Sequence, residues 1–318
     1  MTSDFTEITV VGEDDTGLIA RITSLLFERG VNIEDLDQAV REGVFRMTMH
    51  VDASGMTVTE SELRESLASL GADLDLDIQV RFPADRAVSR LAVLVTRESH
   101  CFEALLDAWK SGALDAEISV VVGNHDDLAG IAEREGIPFY DIGDASGNPD
   151  EEWLLDILDE HAVDLVVLAR YMRILSPNVV FRYEDRIINV HPSLLPSFPG
   201  AEAYRQAIEA GVRIAGVTAH YVTMDLDQGP IIVQRAFDVP DDAGVEALER
   251  RGQPLEVDAL VEAVRLHLED ALAVHRGRTR LREAGEGDAR LGLPPEVEAL
   301  NPTAPVDRTA RPAEAGED

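Results

Sequence analysis

The chain has 318 residues, of which 45% are hydrophobic, so it is long enough for two folded domains. No apolar run is long enough to cross a bilayer, and the first ten residues lack the basic start and apolar middle of a signal peptide. Cys101 is the only cysteine, which excludes an intramolecular disulfide and fits a reducing compartment. We expect a cytoplasmic protein that does not bind membranes.

The charge balance is strongly acidic. Asp and Glu number 61 against 28 Lys and Arg, a formal net charge of −33, and Lys110 is the only lysine. Such a charge repels nucleic acid, so we expect no nucleic-acid partner. A surface that recruits a cationic partner would also be acidic, but here the acidic residues are spread along the whole chain. This distribution favours a halophilic protein whose stability falls at low salt concentration.

Residues 1–82 have the pattern of a small α+β domain. Strand patterns alternate with two helical patterns, and the strands fall at 5–11, 31–36, 44–51 and 74–81. Thr59 and Glu62 form a capping-box pattern at the start of the second helix, and Gly71 is expected to end it. The order βαββαβ predicts a ferredoxin-like sheet covered by two helices.

A second domain follows a predicted linker at 83–88, which contains Pro83. From 89 to 282, short apolar strands alternate with helices, which predicts a Rossmann-like open parallel sheet. The strand patterns lie at 90–95, 118–122, 164–169, 186–190, 214–223 and 230–237. A helix near 254–274 is expected to close the domain. Residues 283–318 are rich in Pro, Gly, Ala and Glu without periodicity, which predicts a disordered acidic tail.

The stretch R-I-I-N-V-H-P-S-L-L-P-S-F-P-G carries the clearest chemistry. Asn189 and His191 lie two residues apart at the end of a predicted strand, so their side chains point the same way at the sheet edge where α/β proteins bind ligands. An amide and an imidazole there can donate two hydrogen bonds to a developing oxyanion. A rigid proline-rich turn with a structural histidine explains the same spacing equally well.

A second stretch, G-V-T-A-H-Y-V-T-M-D-L-D-Q-G-P-I-I, places His220 on a strand and Asp225 and Asp227 in the loop after it. A carboxylate against His191 would keep the imidazole charged and oriented, and would position a water. The alternative is a solvated loop with two surface aspartates. Zinc could use these residue types, but no closely spaced His or Cys pair anchors a site, so we expect no metal.

Together with a third stretch, L-A-R-Y-M-R-I-L-S-P, these motifs resemble the formyltransferase fold of folate-dependent enzymes. The resemblance spans about residues 90–240. It implies 10-formyltetrahydrofolate as substrate, no tightly bound cofactor, and a catalytic set of Asn189, His191 and Asp227. It also implies a substrate pocket, whose predicted residues are Met172, Arg173, Ile174, Leu175 and His220.

Three families share this fold: deformylases, glycinamide ribonucleotide formyltransferases and methionyl-tRNA formyltransferases. The tRNA enzyme needs a basic surface, which this chain lacks. The ribonucleotide transferase holds a phosphate with a Gly-rich loop, but the equivalent loop at 95–102 has no glycine and contains Glu98. That loop and the stretch at 121–126 resemble the deformylases. Pro192 and the residues after it are closer to the transferases, so the transferase remains the alternative.

The N-terminal stretch D-D-T-G-L-I-A-R-I-T-S-L-L-F-E-R-G-V-N-I resembles an ACT domain. The resemblance implies an amino acid or similar metabolite as effector, bound between paired copies near Gly17 and Asn32, and a homo-oligomer. An ACT domain before a formyltransferase-fold domain is the deformylase arrangement. It implies hydrolysis of 10-formyltetrahydrofolate, which releases formate for purine synthesis and balances the one-carbon pool. A non-catalytic amino-acid sensor is the alternative from a different class.

Overall fold

The computed structural model describes residues 5–82, 88–275 and 277–282. The predicted tail and most of the predicted linker lie outside these ranges. The first six elements confirm the predicted order: β1 (Thr6–Glu13), α1 (Leu18–Glu28), β2 (Asn32–Arg41), β3 (Val44–Asp52), α2 (Glu60–Leu74) and β4 (Leu76–Arg81). They form an antiparallel sheet in the order β2-β3-β1-β4. Its core packs apolar strand residues such as Ile8 and Met47 against Ile22 of α1 and Leu67 of α2.

The second helix confirms the capping box but not the predicted end. The Thr59 side chain accepts from the Glu62 backbone, and the Glu62 side chain accepts from the Thr59 backbone. Gly71 does not stop α2, which continues to Leu74. A Cβ at Gly71 would lie 2.6 Å from the carbonyl oxygen of Leu76, so glycine is needed here for the close approach of β4.

The remaining elements are seven sheet strands, six helices and a terminal strand pair. In chain order they are β5 (Ser89–Val95), α3 (His100–Lys110), β6 (Ala116–Gly123), α4 (Ala129–Arg134), β7 (Phe139–Asp141), α5 (Glu151–Glu160), β8 (Leu165–Ala169), α6 (Pro177–Arg182), β9 (Ile187–His191), α7 (Ala203–Glu209), β10 (Ile214–Tyr221), β11 (Ile231–Asp238), α8 (Val245–Leu268), β12 (Leu272–His275) and β13 (Arg278–Leu281).

The seven-stranded sheet has the order β11-β10-β9-β8-β5-β6-β7. Strands β5 to β9 are parallel, as predicted, whereas β10 runs antiparallel to both of its neighbours, β9 and β11, and makes the sheet mostly rather than wholly parallel. A hairpin joins β10 to β11, because the loop between them is too short for a crossover to a parallel strand. Helices α3 and α8 pack on one face, and α5 and α6 on the other.

Helix α8 corrects the prediction of a helix near 254–274. It begins nine residues before Pro254 and ends at Leu268, and 272–275 form a strand instead. Proline is favoured in the first turn of a helix rather than in its interior. Here Pro254 lies inside the helix, whose packing on β10 and α3 outweighs the missing backbone donor. No helix among the described residues is long and apolar enough to span a membrane.

The N-terminal sheet rests on α6, the helix that leads into β9. Ion pairs reinforce the contact: Arg182 Nε lies 3.1 Å from Asp77 Oδ2, and Arg186 Nη2 lies 3.5 Å from Glu7 Oε1. The buried Arg46 of β3 also pairs with Glu184. The strand that carries Asn189 and His191 therefore starts beside the N-terminal domain.

Candidate active site

The predicted catalytic residues converge at the carboxyl end of β9. Asn189, His191 and Asp227 line one cavity of about 450 Å³, within the range of small-molecule sites. His220 lines it too, because β10 pairs with β9 and sets His220 opposite Asn189. The five residues from Tyr171 to Leu175 border the same cavity. The structure thus brings together the three stretches that the sequence singled out.

His191 is buried and has an acceptor at each ring nitrogen. Its Nε2 lies 2.9 Å from the carbonyl oxygen of Phe198, and its Nδ1 lies 3.4 Å from Asp227 Oδ2. Asp227 therefore lies where the sequence predicted a carboxylate against His191.

Asn189 is oriented by His220. Burial lowers the pKa of His220, so this histidine is neutral, and its Nδ1 donates to the carbonyl of Tyr221 at 2.8 Å. The Nε2 atom is then an acceptor, and Asn189 Nδ2 lies 3.3 Å from it. This bond uses one N–H of the Asn189 amide. The second N–H is free to serve a ligand in the cavity.

Asp227 is held by its loop in an uncommon backbone conformation. Its φ is +53°, in the left-handed region where aspartate is tolerated better than most residues. Its Oδ2 accepts from the backbone N–H of Gly200 at 2.7 Å. A Cβ at Gly229 would lie 1.8 Å from the carbonyl oxygen of Tyr221, so only glycine lets the loop fold back onto β10. These constraints place the carboxylate between His191 and His220.

The 171–175 loop presents apolar side chains to solvent and is fixed by polar contacts. Met172 is 55% exposed and Ile174 is 75% exposed, whereas Leu175 is buried. The backbone N–H of Met172 donates to Thr96 Oγ1 at 2.9 Å, and Arg173 donates to the carbonyl of Ser146 at 2.9 Å. Exposed apolar side chains beside a cavity suit the flat face of a heteroaromatic ring.

The sequence reasoning missed a second polar cluster beside the cavity, which we call the Arg170 cluster. Its members are Glu98, His100, Arg170, Tyr204 and Glu256. Arg170 donates twice to Glu98, at 3.2 and 3.0 Å, and its Nε lies 3.6 Å from Glu256 Oε2. Glu256, only 1% exposed, also accepts from the Tyr204 hydroxyl at 2.8 Å and lies 3.0 Å from His100 Nε2.

The cluster is compensated internally. Burial by itself raises the pKa of Glu256, but hydrogen bonds with His100 and Tyr204 and the charge of Arg170 together bring this pKa below its usual value. Glu256 is therefore ionised although it is buried. A Cβ at Gly252, one helical turn earlier on α8, would lie 1.7 Å from the Tyr204 hydroxyl oxygen. Glycine at this position opens the space through which Tyr204 reaches Glu256.

One group among the described residues has metal-ligating atoms within 4.8 Å of one another, namely His100, Cys101 and Glu256. It does not include His191 or His220, which we considered as zinc ligands from the sequence. The chemistry of this group is poor for a cation, because the Arg170 guanidinium already contacts Glu256 and burial raises the pKa of the Cys101 thiol. Neutral thiols are weak ligands.

The two residues suggested for an effector site lie apart in the chain fold. Gly17 has φ +90° at the start of α1 and borders a shallow hollow with Asp14, Gln38 and Phe45. Asn32 follows the other end of α1, is exposed, and donates to Glu34 at 2.6 Å. Within one chain they do not form a shared cleft.

Known proteins match this architecture over most of its length. Residues 89–264 match the Formyl transferase family model, and residues 7–81 match the ACT domain model. A formyltetrahydrofolate deformylase from Bacillus subtilis is 38% identical over 274 residues, which cover 84% of this chain and 90% of that relative. The chain belongs to the formyltetrahydrofolate deformylase family.

Solved structures of deformylases and of ribonucleotide transformylases match different shares of this chain. A formyltetrahydrofolate deformylase from Pseudomonas syringae aligns with a TM-score of 0.60 and 32% identity, over 88% of this chain and 94% of that structure. A glycinamide ribonucleotide transformylase from Symbiobacterium toebii aligns with a TM-score of 0.58 and 37% identity, over 95% of that structure but only 62% of this chain. The match to deformylases extends over most of the chain, so the transferase and sensor alternatives are not favoured.

Proposed function

We propose that the protein hydrolyses 10-formyltetrahydrofolate to tetrahydrofolate and formate. The observation that carries this proposal is the convergence of Asn189, His191 and Asp227 on one cavity that the 171–175 loop also borders. Membership of the deformylase family supports the same activity. In this proposal the exposed apolar residues of the 171–175 loop contact the pterin ring of the folate, partly through backbone groups.

The chemistry follows from the hydrogen bonds at the end of β9. The free N–H of Asn189 donates to the formyl oxygen, and the Nε2–H of His191 exchanges the Phe198 carbonyl for the same oxygen. Asp227 holds the His191 ring, orients a water for attack on the formyl carbon, and takes a proton from that water as it attacks. The tetrahedral species collapses by breaking the bond to the folate nitrogen, this nitrogen takes the proton that Asp227 received from the water, and formate leaves.

Neither a metal nor a covalent enzyme intermediate is needed for these steps, and we propose that the enzyme has no tightly bound cofactor. Each donor aimed at a developing oxyanion is worth about 10²–10³-fold in turnover. General acid–base assistance adds about 10²–10⁴-fold. His220 acts in this scheme as a positioning residue, since it touches Asn189 rather than the formyl group.

We place the domain limits at 1–82 and 89–282, with the linker at 83–88 and an acidic tail from 283. In our proposal the formate supplies purine synthesis, a homo-oligomer pairs the ACT domains, and an amino acid binds between them. The net charge of −33 and the use of Arg instead of Lys support a halophilic cytoplasm as the working environment.

The test is an assay of formate release from 10-formyltetrahydrofolate in concentrated KCl, with no amine present. We expect formate and tetrahydrofolate in equal amounts. Formyl transfer to glycinamide ribonucleotide without formate release would contradict the proposal. Amino-acid binding with no turnover in either assay would identify a sensor instead.

A further inference from the structure

We propose that the Arg170 cluster determines acceptor specificity: Glu98 and Glu256 exclude anionic acceptors from the cavity by occupying Arg170, so that water is the molecule that takes the formyl group. This inference rests on the proposed function and extends it from the reaction to the choice of nucleophile. It concerns residues that the catalytic steps above do not use.

The cluster borders the cavity in which the reaction is placed. Arg170 and Tyr204 line the same cavity as Asn189 and His191. Arg170 directly follows β8 and has φ +61°, an uncommon conformation for arginine, and its side chain is only 15% exposed. Its backbone and its ion pairs together fix the guanidinium at the cavity wall.

Arg170 has the chemistry of a phosphate ligand at this wall, since a guanidinium fork binds phosphate oxygens in pairs. Here the fork is taken by Glu98, and its Nε also faces Glu256. Two carboxylates surround one guanidinium, so an incoming anion meets acceptors and negative charge instead of donors. An acceptor without negative charge, such as water, meets no such penalty.

The other arginines of the cavity are engaged too. Arg173 donates to the Ser146 carbonyl, and Arg205 lies 3.5 Å from a Glu202 oxygen. Asp227, Glu202 and Glu249 add carboxylates to the lining. Each arginine of the described cavity wall thus has a partner, and carboxylates outnumber the ion-paired guanidinium groups around Arg170.

The solved relatives make the contrast chemically specific. Glycinamide ribonucleotide transformylases share the fold with this chain at 37% identity, and the acceptor in their name is a nucleotide, which carries a phosphate. Hydrolysis and transfer differ only in whether water or an amine attacks the formyl carbon. What distinguishes the two outcomes on one fold is then whether the phosphate of the amine is admitted.

The test compares E98Q with the matched control E103Q. Glu103 is an exposed carboxylate on α3 outside the cluster, so E103Q makes the same change in net charge. Inorganic phosphate binding is measured by calorimetry, and inhibition of formate release by glycinamide ribonucleotide is measured at the same fixed KCl concentration. We expect E98Q to bind phosphate at least tenfold more tightly than the wild type, and to gain inhibition by the ribonucleotide to the same extent.

A second variant, E256Q in the E98Q background, is expected to strengthen phosphate binding further, because both partners of Arg170 lose their charge. Glu98 is 44% exposed, so E98Q alone keeps the test valid if the double variant fails to fold. Phosphate affinity in E98Q equal to that of E103Q would overturn the inference. Because calorimetry needs no turnover, absence of formate release in the wild type would overturn the proposed function separately.

Discussion

Two groups of polar side chains lie beside the same cavity of the seven-stranded sheet, and they differ in how many of their hydrogen-bonding groups remain free for a ligand. In the first, the Asn189 amide donates one N–H to His220, and its other N–H remains available to a ligand. In the second, the Arg170 guanidinium donates two hydrogen bonds to Glu98. Glu256 is bonded to the side chains of Tyr204 and His100. Residue types alone do not separate a reactive site from a structural one. The remaining hydrogen-bonding capacity does.

The two groups also differ in how they are held. Asp227 comes from a loop with a left-handed residue and an obligatory glycine, whereas Glu256 sits on a 24-residue helix packed against the sheet. Loss of the first carboxylate should therefore appear mainly in the chemistry, and loss of the second mainly in stability.

The largest effect is expected for D227N. Asparagine keeps the volume and an oxygen for the Gly200 N–H, but it removes the charge that faces His191. We expect formate release to fall about 10²–10⁴-fold with little change in melting temperature. The control is D225N, which changes an exposed aspartate of the same loop. If D227N and D225N have equal turnover, Asp227 is not part of the catalytic set.

E256A should be the largest change in stability. It removes a buried carboxylate and leaves Arg170, His100 and Tyr204 without their shared partner. We expect a loss of about 3–5 kcal/mol in the free energy of unfolding, measured by denaturant titration at fixed KCl. E256Q, which keeps the shape, should lose less. E246A, at an exposed position of the same helix, serves as control, and a loss equal to that of E256A would refute the prediction.

His267 tests a partly buried polar pair outside both groups. Its Nδ1 lies 2.8 Å from the Tyr221 hydroxyl, and burial lowers its pKa from 6.5 to about 4. Between these values the unfolded chain binds a proton that the folded protein does not, so stability falls as the pH is lowered through this window. The contribution is about 3 kcal/mol. H267Q should flatten the pH dependence of unfolding between pH 6.5 and 4, whereas H275Q, at an exposed position, should not.

The smallest effect is expected for H220L, which removes the acceptor that orients Asn189. Because one orienting hydrogen bond is worth about 1 kcal/mol, we expect formate release to fall roughly five- to tenfold. The loss should appear in kcat rather than KM. H220Q supplies an amide oxygen as acceptor and should restore most of the rate. Equal loss of kcat in both variants would mean that His220 supports the strand rather than the amide.

Much of the group formed by Asn189, His191 and Asp227 could be predicted, because the placement of its two strand residues depends on local periodicity. Two residues apart on a strand means one face, and that placed Asn189 with His191. Asp227 is 36 positions further along, and its placement relied on the family resemblance. The short elements β7 and α7 escaped prediction, since neither contains the predominantly apolar run that marked the short strands β8 and β9.

The Arg170 cluster could not be assembled from the sequence, because its members come from four separate segments between Glu98 and Glu256. One signal was nevertheless present. On α8 the buried positions Leu248, Gly252, Glu256 and Leu260 recur every four residues, so Glu256 stands on the apolar side of its helix. A charged residue in such a stripe indicates a buried partner, although it does not identify which one.

Gly252 is a residue of α8 that the Arg170 cluster requires. In a helix interior, alanine is favoured over glycine by about 1 kcal/mol, so local conformational preference argues against the residue that is present. A single methyl group there would collide with the Tyr204 hydroxyl. The Arg170 cluster therefore requires a residue without a side chain at position 252. The substitution G252A, which would normally stabilise a helix, would here displace Tyr204 and break its hydrogen bond with Glu256.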